Sequence, residues 1–187
     1  MRSNHLVTPA TYADYLKWDD DRRYELIDFV PYLMSAPTVE HQRIVGRIFR
    51  KIADHLDGKN CEPFISPFDL RLAESSLGYD KIGNVVQPDI TVICDKSGLD
   101  ERGYSGAPAL IIEVVSPSSA KMDRWFKYNA YERQGVKEYW IVIPNEQVVE
   151  THVLQDGKYK LAGVYGLDDV IPSVAVEGLE VSVHSVF

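Results

Sequence analysis

The sequence is poor in cysteine and has no long apolar segment. Only two cysteines, Cys61 and Cys94, occur among its 187 residues. Their spacing fits neither a zinc site nor a disulfide framework, so we expect both to be core residues. No segment is apolar enough to cross a membrane, and the start, Met1 to His5, lacks the apolar core of a signal peptide. These absences predict a cytoplasmic protein with no membrane partner.

The sequence also lacks an excess of positive charge. Its formal net charge is −8, which opposes tight nonspecific binding to nucleic acid, because such binding depends on Lys and Arg neutralising phosphates. A local basic surface remains compatible with this charge. Residues 37–58 carry apolar side chains at helical spacing, while Arg43, Arg47, Arg50 and Lys51 fall on another side. This stripe is either a solvated helix face, the ordinary interpretation, or a contact for a phosphate backbone.

The order of the predicted elements indicates one domain, residues 1–187, of the α/β or α+β class, with a central mixed β-sheet flanked by helices. The predicted helices are Thr8–Trp18, 37–58 and a segment from Ser118 or Ser119 to Gln134, ended by Gly135. The predicted strands are Arg23–Ile27, Val30–Met34, Cys61–Ile65, Asp69–Leu72, Pro88–Cys94, Ala109–Val115, Glu138–Ile143, a C-terminal hairpin of Val148–Leu154 and Lys158–Tyr165, and an edge strand in Leu179–Phe187. Residues 73–84 and 95–107 are predicted to be polar connections.

Glu113 interrupts an otherwise apolar run that extends from Ala109 to Val115. Such a run is typical of a strand buried on both faces, where an unpaired carboxylate is strongly unfavourable. A second apolar strand carries Asp89 at its start. Two carboxylates on neighbouring strands would form an oxygen-ligand site for a hard divalent cation such as Mg²⁺, with Mn²⁺ as a substitute. The sequence therefore predicts metal-assisted chemistry at Asp89 and Glu113.

Hydrolysis at such a metal needs a group that positions or activates the attacking water. Lys121 and Lys127, on the helix that follows the Glu113 strand, are the candidates. At about 1.5 Å per residue, two helical turns carry the chain back by roughly 12 Å, which retraces its path from Glu113 to the helix start. We therefore expect Lys127 near Glu113, and Lys121 in the exposed first turn.

Several motifs occur in an order that resembles one protein family. They are Tyr24-Glu25-Leu26-Ile27-Asp28, Ala36-Pro37 with His41, Gln87-Pro88-Asp89, Glu113-Val114-Val115-Ser116-Pro117-Ser118, Asp123 with Lys127, and Gly135-Val136-Lys137-Glu138-Tyr139-Trp140. Together they resemble the Uma family of proposed endonucleases, within the restriction-endonuclease-like PD-(D/E)XK superfamily. The resemblance extends from about Tyr24 to Ile143. It implies a central mixed sheet with flanking helices and a Mg²⁺-dependent phosphodiesterase centre.

The resemblance also implies roles for four residues. Asp89 and Glu113 look like the family's metal ligands, and Lys127 looks like its helix-borne lysine. Glu25 looks like its early glutamate, which would reach the metal directly or through water. In the wider superfamily the lysine stands two residues after the second acidic ligand, and this chain has Val115 there. The lysine of this chain is therefore expected on the helix.

Two further departures from the family pattern fall in turns. Phe29 stands where the family usually has Gly, and Ile143 stands where an Asp often follows the Tyr-Trp strand. Both positions lie outside the proposed cluster, so they bear on local geometry more than on chemistry.

Each candidate residue also has a simpler interpretation. Asp89, after a proline, is typical of a turn at a strand start. Glu25 would by default be a cross-strand charge, and Lys127 would pair with Asp123 at helical spacing. His41, near a predicted helix start, would contact a phosphate or face solvent.

The leading hypothesis is a Mg²⁺-dependent endonuclease that hydrolyses DNA phosphodiester bonds, and we expect a homodimer. The alternative is a non-catalytic module that binds nucleic acid or protein on a nuclease-like fold, which is favoured by the acidic charge and the lack of a dedicated DNA-reading motif. A third hypothesis is a structural homo-oligomer, which requires arginines beside Glu113.

Overall fold

The computed structural model of the chain describes residues 8–187. Its α-helices are α1 (Tyr12–Tyr15), α2 (Val39–Leu56) and α3 (Tyr128–Gln134), and a π-helical segment, Met122–Lys127, leads into α3. The strands are β1 (Tyr24–Ile27), β2 (Val30–Leu33), β3 (Glu62–Ile65), β4 (Leu70–Arg71), β5 (Val85–Val86), β6 (Ile90–Ile93), β7 (Leu99–Asp100), β8 (Gly103–Ser105), β9 (Leu110–Val114), β10 (Glu138–Ile143), β11 (Val148–Gln155), β12 (Lys158–Tyr165), β13 (Val170–Pro172) and β14 (Glu180–Ser182). Within residues 8–187, no helix combines the length and the apolar character required to span a membrane.

The strands form two six-stranded sheets and one two-stranded ribbon. The main sheet has the order β12-β11-β10-β9-β6-β3, with β9 and β10 parallel and the other neighbours antiparallel. The second sheet has the order β2-β1-β5-β4-β8-β7, and β13 pairs with β14. The predicted central mixed sheet flanked by helices, with a C-terminal hairpin of β11 and β12, is confirmed.

The central strands of the main sheet, β6, β9 and β10, are buried on both faces, which explains their apolar sequences. Helix α2 covers one face with five buried residues and packs with the C-terminal ribbon. Helix α3 and parts of the second sheet cover the other face. Alternation along β9 and β10 divides their side chains between these two cores. On the α2 side lie Leu110, Ile112, Val114, Trp140 and Val142, and on the α3 side lie Ile111, Tyr139 and Ile141.

Glu138 fastens the C-terminal segment to the main sheet. Its side chain is fully buried, and one carboxylate oxygen accepts hydrogen bonds from the Ser173 hydroxyl at 2.6 Å and from the backbone N–H groups of Val174 and Ala175 at 2.9 and 2.8 Å. The other oxygen accepts from the Trp140 indole at 2.8 Å. Four donors therefore satisfy this buried carboxylate.

The first helix is shorter than the sequence predicts. Thr8 and Pro9 precede it, and Thr11 is the N-cap. The Thr11 hydroxyl accepts from the Asp14 N–H at 3.3 Å, and the Asp14 carboxylate accepts from the Thr11 N–H at 3.0 Å. This reciprocal capping box fixes the start of the helix at Tyr12, so the prediction of Thr8–Trp18 was wrong at both ends.

The second sheet is the main feature that the sequence did not predict. Strands β7 and β8 form within residues 95–107, predicted as a connection, and β8 pairs in parallel with β4. Residues 73–84 contain one 3₁₀ turn, Tyr79–Lys81, followed by the buried Ile82. Strands of two or three residues are too short to show a period-2 pattern, and therefore only long-range pairing reveals them.

Cys61 and Cys94 form a disulfide, which corrects the expectation that both are ordinary core residues. They directly flank the antiparallel pair β3 and β6, in which Glu62 lies opposite Ile93. The pairing thus brings together two cysteines that are 33 positions apart in sequence. Disulfides are more usual in oxidising compartments, so the cytoplasmic location stays a prediction.

Candidate active site

Strand alternation directs Glu113 toward helix α3. Its neighbours Ile112 and Val114 face α2, whereas Glu113 is on the side of Ile111. The side chain is only 3% exposed. Its Oε1 atom accepts a hydrogen bond of 2.9 Å from the Lys127 ammonium and one of 2.7 Å from the Tyr131 hydroxyl. The buried carboxylate that the sequence singled out is therefore paired.

Asp89 lies next to Glu113 because β6 and β9 are neighbours. In that antiparallel pair Ile90 is opposite Ile112, so Asp89, directly before β6, comes next to Glu113 on β9. The Asp89 Oδ2 atom accepts from the Val114 N–H at 2.8 Å, and the Asp89 N–H lies 3.4 Å from Glu113 Oε2. The two carboxylates predicted as metal ligands are brought together at one end of the main sheet.

The Lys127 ammonium occupies the centre of the acidic cluster. Lys127 ends the π-helical segment and is only 4% exposed. Its Nζ atom lies 2.8 Å from Glu25 Oε1, 2.9 Å from Glu113 Oε1 and 3.6 Å from Asp123 Oδ1. Lys121, the other lysine considered, is exposed and lies over the Phe126 ring. Lys127 is therefore the lysine that reaches the acidic residues.

Glu25 enters the cluster from the second sheet. It lies on β1 and is 4% exposed. Its Oε1 atom accepts from the Gln87 N–H at 2.8 Å in addition to its contact with Lys127. Gln87 is two residues before Asp89, so this hydrogen bond ties β1 to the segment that carries the acid. All four site residues predicted from sequence, Glu25, Asp89, Glu113 and Lys127, lie in contact through this network.

Three further residues belong to the cluster without having been predicted as site residues. Asp123 is 3% exposed and lies beside Lys127, and Tyr131 is fully buried and donates to Glu113. His41, in the first turn of α2, places its Nε2 atom 3.1 Å from Asp89 Oδ2. Asp123 and Tyr131 lie four residues before and after Lys127. Helical spacing already paired Asp123 with Lys127 in the sequence, and the same spacing could have found Tyr131.

Burial and charge shift the protonation of the cluster. Burial raises the pKa of Glu113 well above its usual range, although the Lys127 ammonium opposes this, and burial likewise raises the pKa of Asp123 against the same ammonium. Burial lowers the pKa of Lys127, but Glu113, Glu25 and Asp123 outweigh it and hold the pKa well above the ordinary value. Lys127 therefore keeps its proton, and its ammonium favours the ionised form of Glu113 against the effect of burial.

Asp89 raises the pKa of His41, as the surrounding carboxylates raise that of Lys127. Burial lowers the pKa of His41, but the hydrogen bond to Asp89 and the charge of that carboxylate more than offset burial, and the pKa is raised. The Nδ1 atom of His41 is buried and has no hydrogen-bond partner within residues 8–187.

The cluster lines an open cleft of about 240 Å³. The cleft lies between the β1–β2 hairpin, the start of α2 and the segment that leads into α3. Its lining includes all four predicted site residues together with Arg23, His41, Gln87 and Asp123. The acidic cluster therefore lies in the wall of a cleft that opens to solvent.

The donor atoms suit a hard divalent cation. Within residues 8–187 no group of three or more His, Cys, Asp or Glu side chains is arranged as a ready metal site. Mg²⁺, however, usually takes only one or two protein carboxylates and fills its remaining positions with water and phosphate oxygens. Asp89 Oδ1 has no hydrogen-bond partner in the described part of the chain, and Glu113 Oε2 has only the 3.4 Å contact. One oxygen of each carboxylate is thus available to a cation.

Comparison with known families identifies the chain. Residues 12–184 match the family Uma2, described as "Putative restriction endonuclease". The chain belongs to the Uma2 family. This confirms the resemblance seen in the sequence motifs. The match extends beyond them in both directions, so that α1, the β11–β12 hairpin and the C-terminal ribbon also belong to the Uma2 domain.

Individual relatives are similar over most of the Uma2 domain. An uncharacterised protein of Synechocystis sp., slr1290, is 26% identical over 72% of this chain and 68% of its own length. A second one from the same organism, sll1609, is 24% identical over 71% and 73%. A crystal structure from Anabaena variabilis, titled "a putative nuclease belonging to DUF820", matches with a TM-score of 0.76 at 19% identity and covers 96% of this chain and 98% of that one. This similarity confirms the fold.

Proposed function

We propose that this protein is a Mg²⁺-dependent endonuclease that hydrolyses DNA phosphodiester bonds. The observation that carries the proposal is the position of the Lys127 ammonium, which bridges Glu25 and Glu113 inside the cleft that Asp89 also lines. An acidic pair with available oxygens beside a fixed cation suits a metal ion, a water molecule and a phosphate group together. Membership of the Uma2 family supports the same chemistry.

In the proposed centre Asp89 and Glu113 would hold the cation. A bound Mg²⁺ would polarise a phosphate oxygen and lower the pKa of a water ligand. Lys127 orients the attacking water and stabilises the negative charge that develops on the phosphate. Because the surrounding carboxylates raise the pKa of Lys127, it acts through its charge and its hydrogen bonds rather than as a base. Glu25 fixes the ammonium through its 2.8 Å contact.

Cleavage of supercoiled plasmid tests the proposal, with Mg²⁺, Mn²⁺ or EDTA in parallel reactions. The wild-type protein should nick the plasmid with either cation and be inactive in EDTA. Glu113→Gln removes the charge of one ligand and should abolish nicking. Glu146→Gln changes an exposed glutamate just beyond β10 and should cleave like the wild type. Equal activity of Glu113→Gln and the wild type would contradict the proposal.

The nature of the nucleic acid is tested with the same preparations. Single-stranded DNA, duplex DNA and RNA of one sequence are offered at equal concentration with Mg²⁺. The proposal expects DNA to be cleaved, and cleavage of RNA alone would show that the substrate was assigned wrongly.

A non-catalytic binding module on the same fold is the second candidate. It is favoured by the net charge of −8. It is also favoured by the three carboxylates that lie close to Lys127, because they neutralise the charge of its ammonium. Calorimetric titration with Mg²⁺ and Mn²⁺ distinguishes the candidates when it is combined with the cleavage assays. Cation binding with turnover indicates the enzyme, whereas DNA binding without turnover of any substrate indicates the module.

A further inference from the structure

Arg23 differs from the other cationic side chains of the cleft in having no carboxylate partner. Lys127 is paired with Glu25 and Glu113, and His41 is paired with Asp89. Within residues 8–187 no carboxylate oxygen lies within ion-pair distance of the Arg23 guanidinium, although Arg23 lines the same cleft. Its charge is therefore left for an anion from outside the protein.

Neutral groups hold the Arg23 guanidinium in place. Its Nε atom donates to Gln87 Oε1 at 3.0 Å, and its Nη2 atom donates to the same oxygen and to the Ser66 hydroxyl at 2.8 Å. Gln87 is itself fixed, because its Nε2 atom donates to Asp69 Oδ1 at 2.8 Å. Nη1 has no hydrogen-bond partner in the described part of the chain. The fixed guanidinium therefore keeps one donor group available and a charge that no carboxylate there neutralises.

The backbone places Arg23 beside the acidic cluster. Arg23 is two residues before Glu25, and its carbonyl accepts from the Met34 N–H at 2.9 Å, which extends the hairpin pairing to this position. Residues two apart in a strand project to the same side, so Arg23 and Glu25 share one face. Gln87 contacts both residues, with its side chain on Arg23 and its N–H on Glu25.

We propose that Arg23 binds a backbone phosphate of the nucleic acid and thereby positions the strand over the acidic cluster. The inference rests on the proposed function, since it assigns a substrate contact within the same cleft. A planar guanidinium with fixed geometry is well suited to phosphate oxygens. The contact recognises no base, so it contributes affinity and register but not sequence preference.

The test measures DNA binding by fluorescence anisotropy with a labelled 20-base-pair duplex and Ca²⁺ in place of Mg²⁺. Arg23→Ala is compared with Arg22→Ala, a matched control one residue earlier whose exposed guanidinium is paired with Asp20 and does not line the cleft. Arg23→Ala should weaken binding roughly tenfold on two unrelated sequences. It should also reduce the slope of log K against log salt concentration by about 0.9, the value for one lost phosphate contact. Arg22→Ala should bind like the wild type, and thermal melting verifies that both variants fold.

The outcomes separate this inference from the proposed function. If the wild type cleaves DNA but Arg23→Ala equals Arg22→Ala in affinity and in salt dependence, the inference is overturned and the proposed function stands. If the wild type neither binds nor cleaves DNA, both are overturned. Arg23→Lys keeps the charge but not the fork, and it should recover the salt slope while regaining only part of the affinity.

Discussion

Lys127 Nζ lies 2.9 Å from Glu113 Oε1, although the two residues are 14 positions apart and belong to a helix and a strand. The Tyr131 hydroxyl, one turn further along, donates to the same oxygen. Two groups from the helix thus engage one oxygen of the carboxylate, while its other oxygen faces Asp89. The helix orients the acid and leaves one side of it available.

Lys127→Met should separate stability, metal binding and catalysis. Turnover should fall by roughly 10² or more, because a positioned charge is lost. Removing one member of a buried ionic cluster should also reduce the free energy of unfolding by roughly 3–5 kcal/mol in the absence of metal. Mg²⁺ should then raise the melting temperature of Lys127→Met by more than that of the wild type, since the cation replaces the missing positive charge.

Lys121→Met is the control for this variant, because Lys121 is exposed and lies six residues earlier. It should melt and turn over like the wild type. Full activity of Lys127→Met at saturating Mg²⁺ would mean that Lys127 is only a structural partner of the carboxylates.

Asp89→Asn should lose both metal binding and cleavage. The amide oxygen can still accept from the Val114 N–H, so the fold should persist while the charge is lost. Isothermal titration measures the affinity for Mg²⁺. The control is Asp95→Asn, since Asp95 is exposed and lies just after β6, the strand that Asp89 precedes. Unchanged Mg²⁺ affinity in Asp89→Asn would remove Asp89 from the proposed ligands.

His152 should make the protein less stable in mild acid. Both ring nitrogens are buried without a hydrogen-bond partner in residues 8–187, and burial lowers the pKa of His152 below its ordinary value of 6.5. The unfolded chain therefore binds a proton at a higher pH than the native chain does. The contribution of His152 to the free energy of unfolding should therefore decrease as pH falls below about 6.5.

Urea unfolding at pH 8 and pH 5 measures this effect. Relative to the wild type, the change from pH 8 to pH 5 should be less unfavourable to the stability of His152→Phe. His184 is exposed, so His184→Gln should show the pH dependence of the wild type. Identical pH dependence in His152→Phe and the wild type would show that His152 takes no part.

Glu138→Ala should destabilise the protein and loosen its C-terminal segment. The substitution removes the acceptor of four hydrogen bonds, from Trp140, Ser173, Val174 and Ala175, and leaves their donors without a partner. A loss of about 3 kcal/mol or more in unfolding free energy is expected. Hydrogen exchange should accelerate in residues 173–187, and unaltered exchange there would contradict the role of Glu138 as the anchor.

We expect a homodimer formed through the edge of the main sheet. Strand β12 is at that edge, and it exposes Leu161 by 57% and Val164 by 56%. An exposed edge with apolar side chains favours pairing with another strand. Light scattering should give twice the chain mass for the wild type and the single mass for Leu161→Lys with Val164→Lys. A wild-type monomer at all accessible concentrations would refute this expectation.

Long apolar strands and the amphipathic helix were predictable because their patterns are local. Glu113 stood out since it interrupts such a strand, and the helix length was enough to place Lys127 beside it. The second sheet was not predictable, because β4, β5 and β7 have two residues each and no periodicity of their own. The disulfide was missed although both of its strands were predicted, because it depends on the pairing of β3 with β6, which no local pattern reveals.

The site was only partly predictable from residue identity. Asp89, Glu113 and Lys127 followed from strand and helix geometry, whereas Glu25 depended on the resemblance to the Uma family. Its position beside Lys127 requires β1 to lie against the helix that leads into α3, a contact between elements about 100 residues apart in sequence. Arg23 gave no sequence signal, because its unpaired charge becomes evident only when its neighbours are known.

The register of strand β9 positions both the hydrophobic core and the proposed catalytic glutamate. Ile112 and Val114 pack under α2 while Glu113, between them, meets Lys127. A slip of one residue would turn Glu113 into the apolar layer and present an aliphatic side chain to the ammonium. Chains that pair β9 out of register therefore lose the core and the acidic cluster together. A folded molecule with a misaligned site should not accumulate.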